Sequence, residues 1–356
     1  MESTDELPFS WVTPRIIQPS GSERTVNMRI LVSGGAGYVG SHTARLLDRA
    51  GHDVWIYDSL ITGHRQAALA DRLIVGELGD RDQLIAVLRE YRIEAVFHFA
   101  AFALVGESVS HPDRYYQNNV VCTLNLLEAM RAVDVKRIIF SSTTATYGVP
   151  DQIPITEAER QEPINPYGFT KLVIERALQD YATAYEFGFA ALRYFNAAGA
   201  SPDGDIGEDH TPESHLIPIV LQVALGQRDA ITIFGNDYPT PDGTCIRDYV
   251  HVDDLGQAHI QALEQLEPGK GIALNLGTGQ GTSVREIVEA CRRITGHAIP
   301  EKLGTRRPGD PPELVADSSQ AQTVLKWKPK YTKIDEIVAT AWNWHKSHPH
   351  GYDKHT

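Results

Sequence analysis

Tyr167 and Lys171 stand four residues apart in the stretch PINPYGFTK (163–171), one helical turn if the chain is helical there. A free tyrosine keeps its proton to about pH 10 and is a poor base near neutrality. A cation one turn away favours the tyrosinate, so the pair is a candidate general base. Such a pair alone is as readily two solvated side chains on a surface helix, and the rest of the chain must decide. Two other clusters bear on it. In GGAGYVG (34–40), glycines recur at 34, 37 and 40, or equally at 35, 37 and 40. Glycines there let a turn close, let a pyrophosphate approach the backbone, and present it to a helix N-terminus. Asp58 follows 18 residues after Gly40. A carboxylate at that place accepts hydrogen bonds from an adenosine ribose and repels a 2′-phosphate, which favours NAD over NADP. The second cluster is FSSTTATYG (140–148), a row of hydroxyls at the end of a predicted strand.

These groups need elements to position them. MRILVSGGAGYVGSHTARLLDRAGHDVWIYDSL reads as strand, glycine turn, helix, strand: Ile30–Val32 form a buried run, while Ala44, Leu46, Leu47 and Ala50 have helical spacing. The alternation continues through LIVGEL, RDQLIAVLREY, AVFHFA, YYQNNVVCTLNLLEAMRAV, RIIFSS, YGFTKLVIERALQDYATAY and FAALRYFN. Strands alternating with crossover helices predict an α/β fold, a Rossmann-type doubly wound parallel sheet. In such a sheet the hydroxyls of 140–148 fall at the carboxyl edge, where ligands bind. Past Asn196 the pattern loosens into AAGASPDGDIGEDHTPESH, a long loop of binding-loop character. We therefore expect an NAD-binding domain over 28–196 and a smaller mixed α/β substrate domain over 197–356, with a segment near 246–262 a candidate to return to the first. Residues 1–27 are expected to be a flexible extension. The second glycine-rich stretch, NLGTGQGTSV (275–284), lacks a following βα unit and an acidic partner, and is expected to be a structural turn.

With 356 residues, 42% apolar and 22% charged, the chain has the composition of an ordinary globular protein. Its net charge is −13 and no basic stripe is present, which argues against a nucleic-acid partner. An anionic ligand must then be met by backbone donors and a few placed arginines. Cys122, Cys245 and Cys291 are far apart and odd in number, which speaks against a disulfide framework and for a reducing, cytoplasmic setting. No apolar run approaches the ~18 residues of a membrane span. His345, His348, His350 and His355 crowd the C-terminus without a carboxylate framework, so a solvated tail and no metal are expected. His98 in its apolar strand is expected to be a satisfied core or cofactor-side histidine.

The hydroxyl row, Tyr167 and Lys171 together resemble the catalytic set of the extended short-chain dehydrogenase/reductase family. Within it the chain resembles the UDP-galactose 4-epimerases through GGAGYVGSHT, HFAAFALVGESV, YYQNNV, LRYFNAAGA, IFGNDYPTPDGTCIRDYVHV and RRPGD. These stretches run from Met28 to about Tyr352, and FGNDYPTPDGT is the most specific. The resemblance implies that Tyr167 is the base, that Lys171 lowers its pKa and holds the nicotinamide ribose, and that Thr143 hydrogen-bonds the reacting oxygen. It implies a cofactor site from Gly34, Gly37, Tyr38, Val39, Gly40, Asp58, Glu77, Leu78, Phe99, Ala100, Ala101, Asn118, Ser141 and Tyr194, beside Tyr167 and Lys171. On the UDP-sugar it places Asn196 at the phosphates, Phe234 near uracil, Arg247 and Arg307 on the diphosphate, and Asp310 on the uridine ribose. His215, Leu216 and Thr232 complete the nucleotide side, and Leu314 stands near the sugar's C2 group. Thr143 replaces the usual serine, Ala103 a lysine found in some members, Glu77 an aspartate and His215 an asparagine.

The activity implied is interconversion of UDP-galactose and UDP-glucose through a 4-keto sugar with tightly bound NAD. Sugar-nucleotide 4,6-dehydratases and UDP-glucuronate decarboxylases need acidic residues just after the strand-end threonine, where this chain has Thr144 and Ala145. A UDP-xylose/UDP-arabinose 4-epimerase uses the same residues and stays open, and a non-catalytic NAD-sensing module is the alternative from another class. Helices expected around 118–131 and 167–185 resemble the family's dimer-forming pair, which implies a homodimer.

Overall fold

The computed structural model describes residues 27–307 and 310–352; the expected N-terminal extension, apart from Asn27, lies outside the described residues. In chain order the elements are β1 (Arg29–Ser33), α1 (Tyr38–Arg49), β2 (Asp53–Asp58), β3 (Leu73–Val75), α2 (Arg81–Glu90), β4 (Ala95–His98), α3 (Val105–Ser110) and α4 (Pro112–Tyr115). A π-helical turn, Tyr116–Val121, runs into α5 (Cys122–Ala132), followed by β5 (Arg137–Thr143), α6 (Pro166–Tyr185), β6 (Gly188–Tyr194), β7 (Asn196–Ala198), α7 (Leu216–Ala224) and β8 (Ile231–Phe234). Then come β9 (Ile246–His251), α8 (Val252–Leu263), β10 (Gly271–Leu276), β11 (Gly281–Ser283), α9 (Val284–Thr295), β12 (Glu301–Gly304), β13 (Glu313–Leu314), α10 (Ser319–Val324) and α11 (Ile334–Ser347).

Seven strands form one parallel sheet in the order β10-β6-β5-β4-β1-β2-β3, as the alternating pattern predicts. Both faces are covered, and the two-residue period sorts β1 between them. Ile30 and Val32 join a core with Ile56, Phe97, Leu255 and Trp327, while Leu31 faces Val96, Ile138, Phe140, Leu126 and Leu178. The strand order reverses between β1 and its neighbours β2 and β4, and open α/β sheets bind ligands at the carboxyl end of that switch point.

A second sheet is built around β9, flanked by β7 and β13 in parallel and β11 antiparallel, and β8 pairs with β12. Its own core lies between α7, α9 and α11. The main sheet draws on chain from both sides of the division expected at 196/197. Not only does α8 pack on α1; β10, beyond the 246–262 segment, is its edge strand.

The stretch 275–284 holds the end of β10, the strand β11 and the turn between them. Asp248 accepts hydrogen bonds from Thr278 N and Oγ1 and Gly279 N at 2.6–2.9 Å, which braces the turn against β9. The C-terminal histidines correct the expectation of a solvated tail. His345 is buried on the inner face of α11, and His348 stacks on Trp344 with ring centres 3.7 Å apart. The reason is that α11 packs against the second core, so its apolar stripe carries His345 inward; His355 lies outside the described residues.

Helix α6 is the element that positions the chemistry. Asn165 caps it, accepting from Gly168 N at 2.8 Å, Pro166 opens its first turn, and Glu186 closes it in the left-handed region. Gly168 allows a close approach: a Cβ there would overlap the Ala145 carbonyl oxygen. Glu175 fixes the helix to β5 and β6. Its carboxylate receives the Arg193 guanidinium (Nε at 2.9 Å, NH2 at 2.6 Å), the Ser142 hydroxyl and Gln161 Nε2, with both charged side chains wholly buried. Removing one partner of a buried pair strands the other charge. Arg193→Met should therefore lower the unfolding free energy by about 3–5 kcal/mol, read from urea denaturation beside the parent protein.

Candidate active site

The carboxyl ends of the main sheet and the second sheet enclose a continuous cavity of about 1690 Å³. A pocket for one drug-sized ligand occupies roughly 300–1,000 Å³, so this one has room for two such ligands. Every site residue expected from the sequence lines it except Leu314.

At one end lies the glycine turn. Gly34 has φ +76°, and a Cβ there would overlap Ala100 N; a Cβ on Gly40 would overlap the Gly34 carbonyl oxygen. Gly37 begins α1 with no capping side chain and no acidic residue in the first turn, so the helix presents bare N–H groups and its positive dipole end to the cavity. This cradle suits a pyrophosphate. Asp58 sits at the end of β2 as expected. Its Oδ2 accepts from Ala36 N at 2.9 Å and its Oδ1 from Leu60 N at 2.8 Å, so it braces the turn while free lone pairs remain for a ribose. Burial raises its pKa and the two backbone donors pull it back. Phe99, Ala100 and Ala101 continue along the wall, held by Asn119, which exchanges hydrogen bonds with the backbone of Phe102 at 2.9 and 3.0 Å.

At the floor, three consecutive residues of β5 meet three residues of α6 spaced one turn apart. The Ser141 carbonyl accepts from Lys171 Nζ at 2.7 Å, Ser142 donates to Glu175, and Thr143 hydrogen-bonds Tyr167. Ser141 Oγ also lies 2.6 Å from the Tyr194 hydroxyl. His98 is satisfied on both ring nitrogens, by Ser33 at 2.7 Å and Thr123 at 2.8 Å. Burial and the nearby Lys171 ammonium hold it down at about 3, a neutral core histidine as expected.

The protonation states correct one expectation. In the protein by itself burial pushes Tyr167 up to about 12, against a smaller downward pull from Thr143. Burial brings Lys171 down to about 7, partly offset by Glu175. Its ammonium is turned to the Ser141 carbonyl, 5.9 Å from the centre of the Tyr167 ring. Burial thus opposes charge on both Tyr167 and Lys171 in the protein by itself, so the sequence expectation that Lys171 lowers the tyrosine's pKa has burial working against it.

The second sheet supplies the other end. Arg307 lies over the Phe234 ring at 4.3 Å, and Arg247 is ion-paired with Asp310 rather than with its neighbour Asp248. Asn196, Thr232 and Leu216 line the same wall. His215 precedes α7 and faces Glu208 and Glu213, each 2.9 Å from its Nδ1. Burial opposes its charge, but the two carboxylates push it up to about 10. Leu314 corrects a second expectation: paired to Arg247 on β13, it packs with Tyr147, Ile155, Phe195 and Ala316, and Phe195 is the residue that reaches the cavity. Arg228, between α7 and β8, also lines the cavity and was not anticipated; its only sequence signal is a basic side chain in the stretch GQRDAITIFG.

Residues 30–277 match the model of the NAD dependent epimerase/dehydratase family. The UDP-glucose 4-epimerase of Halalkalibacterium halodurans is 54% identical over 326 residues, covering 91% of this chain and 98% of that protein. The crystal structure of UDP-glucose 4-epimerase from Brucella ovis in complex with NAD is 49% identical, with a TM-score of 0.86, over 89% of this chain and 98% of that one. A UDP-glucose-4-epimerase from Stenotrophomonas maltophila with bound NAD and formylated UDP-arabinopyranose is 39% identical, with a TM-score of 0.87, over 91% and 99%. The chain belongs to the NAD-dependent epimerase/dehydratase family. Within that family its similarity is to UDP-glucose 4-epimerases, over nearly the whole folded chain, as the sequence motifs implied.

The depressed pKa of Lys171 has a consequence for stability. Between about 7 in the fold and 10.5 for a free lysine, the unfolded chain holds a proton that the folded chain has released. This group therefore makes stability rise with pH across that window. Comparing urea denaturation of the apoprotein with that of Lys171→Met at pH 7 and 9.5 should show the parent gaining relative to the variant at the higher pH.

Proposed function

We propose that the protein interconverts UDP-galactose and UDP-glucose by oxidation and re-reduction at C4. What carries the reading is the pairing of Tyr167 with Thr143, above a buried Lys171, in a cavity shared by the glycine turn and the arginine-bearing wall. NAD held in this cavity would supply the hydride acceptor at C4 and, once reduced, the hydride donor. The Gly34–Gly40 turn and the N-terminus of α1 fit its pyrophosphate, and Asp58 its adenosine ribose. Burial pushes Tyr167 up to about 12 in the protein by itself, and further positive charge entering the cavity would favour its tyrosinate. Tyr167 then takes the 4-hydroxyl proton and returns it, while Thr143 hydrogen-bonds the reacting oxygen. Arg247 and Arg307 hold the diphosphate, a task suited to the guanidinium fork, and Asp310 the uridine ribose. The nucleotide is gripped firmly and the sugar loosely, so the 4-keto sugar can turn over.

A second reading, 4-epimerisation of UDP-pentoses, is favoured by the neighbour that carries a UDP-arabinopyranose derivative. We also place the enzyme in the cytoplasm, a setting that suits its three free cysteines; among the described residues no helix is long and apolar enough to cross a membrane. It is proposed to act as a homodimer. Exposed Val105, Val109, Tyr116, Val121 and Phe169 lie on α3, the π-helical turn and α6, with Tyr116 and Phe169 in ring contact. Light scattering at micromolar concentration should give twice the chain mass; the chain mass alone would refute the dimer.

Proton NMR of UDP-galactose with purified protein and no added NAD should show the UDP-glucose anomeric signal growing to a steady ratio. No change with UDP-galactose but conversion of UDP-xylose would favour the second reading. Tyr167→Phe should slow turnover by at least about 10²–10⁴-fold, with NAD content unchanged; full turnover in that variant would remove Tyr167 from its role.

A further inference from the structure

The loop between β7 and α7 gathers two glutamates and two histidines that the C4 chemistry does not need as a group. Glu208, His210, Glu213 and His215 each offer one ligand atom, and the four atoms all lie within 4.8 Å of one another. The Glu208 and Glu213 side chains are only 5% and 4% exposed, so their charges need a cationic partner close by. His215 Nδ1 is 2.9 Å from a carboxylate oxygen of each. His210 Nδ1 is 3.3 Å from Glu208 and 3.7 Å from Glu213. In a tetrahedral site with bonds of about 2.0–2.1 Å, neighbouring ligand atoms lie about 3.3 Å apart. The spacings from Glu208 Oε1 to the two imidazoles, 2.9 and 3.3 Å, come close to that edge length, and the four ligand atoms as a set lie within 4.8 Å of one another.

The orientation of His210 adds a separate observation. Its Nδ1 is sealed from solvent and makes no hydrogen bond, although two carboxylate oxygens are near. At 3.3 and 3.7 Å it has both carboxylates within reach of a shared centre. Both imidazoles turn the same nitrogen inward. The frame is fixed from outside: Asp209 accepts from Tyr352 N at 2.8 Å, and the Glu208 carbonyl accepts from Trp344 Nε1 at 3.3 Å. The edge of Tyr38 meets His210, with ring centres 6.2 Å apart.

We infer that Glu208, His210, Glu213 and His215 form a site for one divalent metal ion of the zinc class. Two imidazoles and two carboxylates suit zinc, whereas magnesium and calcium prefer six or more oxygens. A dication with two carboxylates and two neutral imidazoles is electrically neutral, so the ion would take over the charge balance that protonated imidazoles otherwise give the two glutamates. The ion would pin the loop that delivers His215 and Leu216 to the nucleotide wall, and with Nδ1 ligated, His215 keeps Nε2–H as a donor. This departs from the expectation of no metal, which weighed only the C-terminal histidines.

The test uses untagged full-length protein, stripped with a strong chelator, dialysed against zinc alone and assayed for metal content by mass spectrometry. About one zinc per chain should be retained. His210→Ala and Glu213→Gln should each weaken zinc, in competition with a chromophoric chelator, by at least about 10–100-fold. A variant lacking His345 and His348 should bind as the parent does. Less than about a tenth of an equivalent in the parent, or equal zinc affinity in both loop variants, would overturn the site and leave protonated imidazoles as the glutamates' partners. Should the loop variants fail to fold, anomalous scattering at the zinc edge from zinc-soaked parent crystals decides: a peak within about 2.0–2.1 Å of the four atoms supports the site, and its absence refutes it. These measurements read metal and not turnover, so they stand whether or not the proposed epimerase activity is found.

Discussion

The carboxylate of Glu175 has no water to solvate it, and the placement of the reacting groups depends on how it is satisfied. An unpaired carboxylate at that depth would cost several kcal/mol. The guanidinium of Arg193 on β6, the hydroxyl of Ser142 on β5 and the amide of Gln161 together complete its shell. Because α6 repeats every 3.6 residues, anchoring Glu175 also sets Lys171 one turn earlier and Tyr167 one turn before that. The end of β5 lies across this face of the helix, and there Ser141 meets Lys171, Ser142 meets Glu175 and Thr143 meets Tyr167. Gly168 then lets the helix come close enough for the outermost of these contacts.

The electrostatics of the cavity are local. A chain of net charge −13 gives a dinucleotide and a UDP-sugar no general attraction. Beyond about 8–10 Å, salt screens exposed charge, and the nearby donors decide. At one end these are backbone N–H groups at the start of α1; at the other they are arginines. Arg247 waits in an ion pair with Asp310, and Arg307 rests on Phe234, so neither charge is left bare before a diphosphate arrives.

Much of this was legible in the chain, for identifiable reasons. The glycine turn, Asp58 and the Tyr167–Lys171 pair are short-range patterns whose meaning is fixed by the strand and helix on either side. The parallel sheet followed from apolar strands alternating with amphipathic helices. What sequence reading missed depends on long-range packing. Leu314 was assigned to the cavity, but its direction is set by the pairing of β13 with β9 and the neighbours that pairing brings. His345 looked like part of a polar tail, yet one face of α11 is committed to the core. The return of β10 to the edge of the main sheet is invisible until β6 is known to need a partner. The Glu208–His215 cluster has loop spacing, which carries no periodic signal, and only the folded loop turns its four side chains to one point.

The path of the chain between the two sheets has a mechanical meaning. It passes from β6 to β7, from β9 to α8 and from β10 to β11, and crosses twice more around α10, whose Ala321 packs with Leu325 and Trp327 in the main core before α11 returns to the second. A single connecting strap would allow one part to swing and twist about the other. Several straps, spread along both parts, restrict torsion and sliding between them. Such a joint keeps the floor in register with both walls, so a molecule held between them meets all three as one surface.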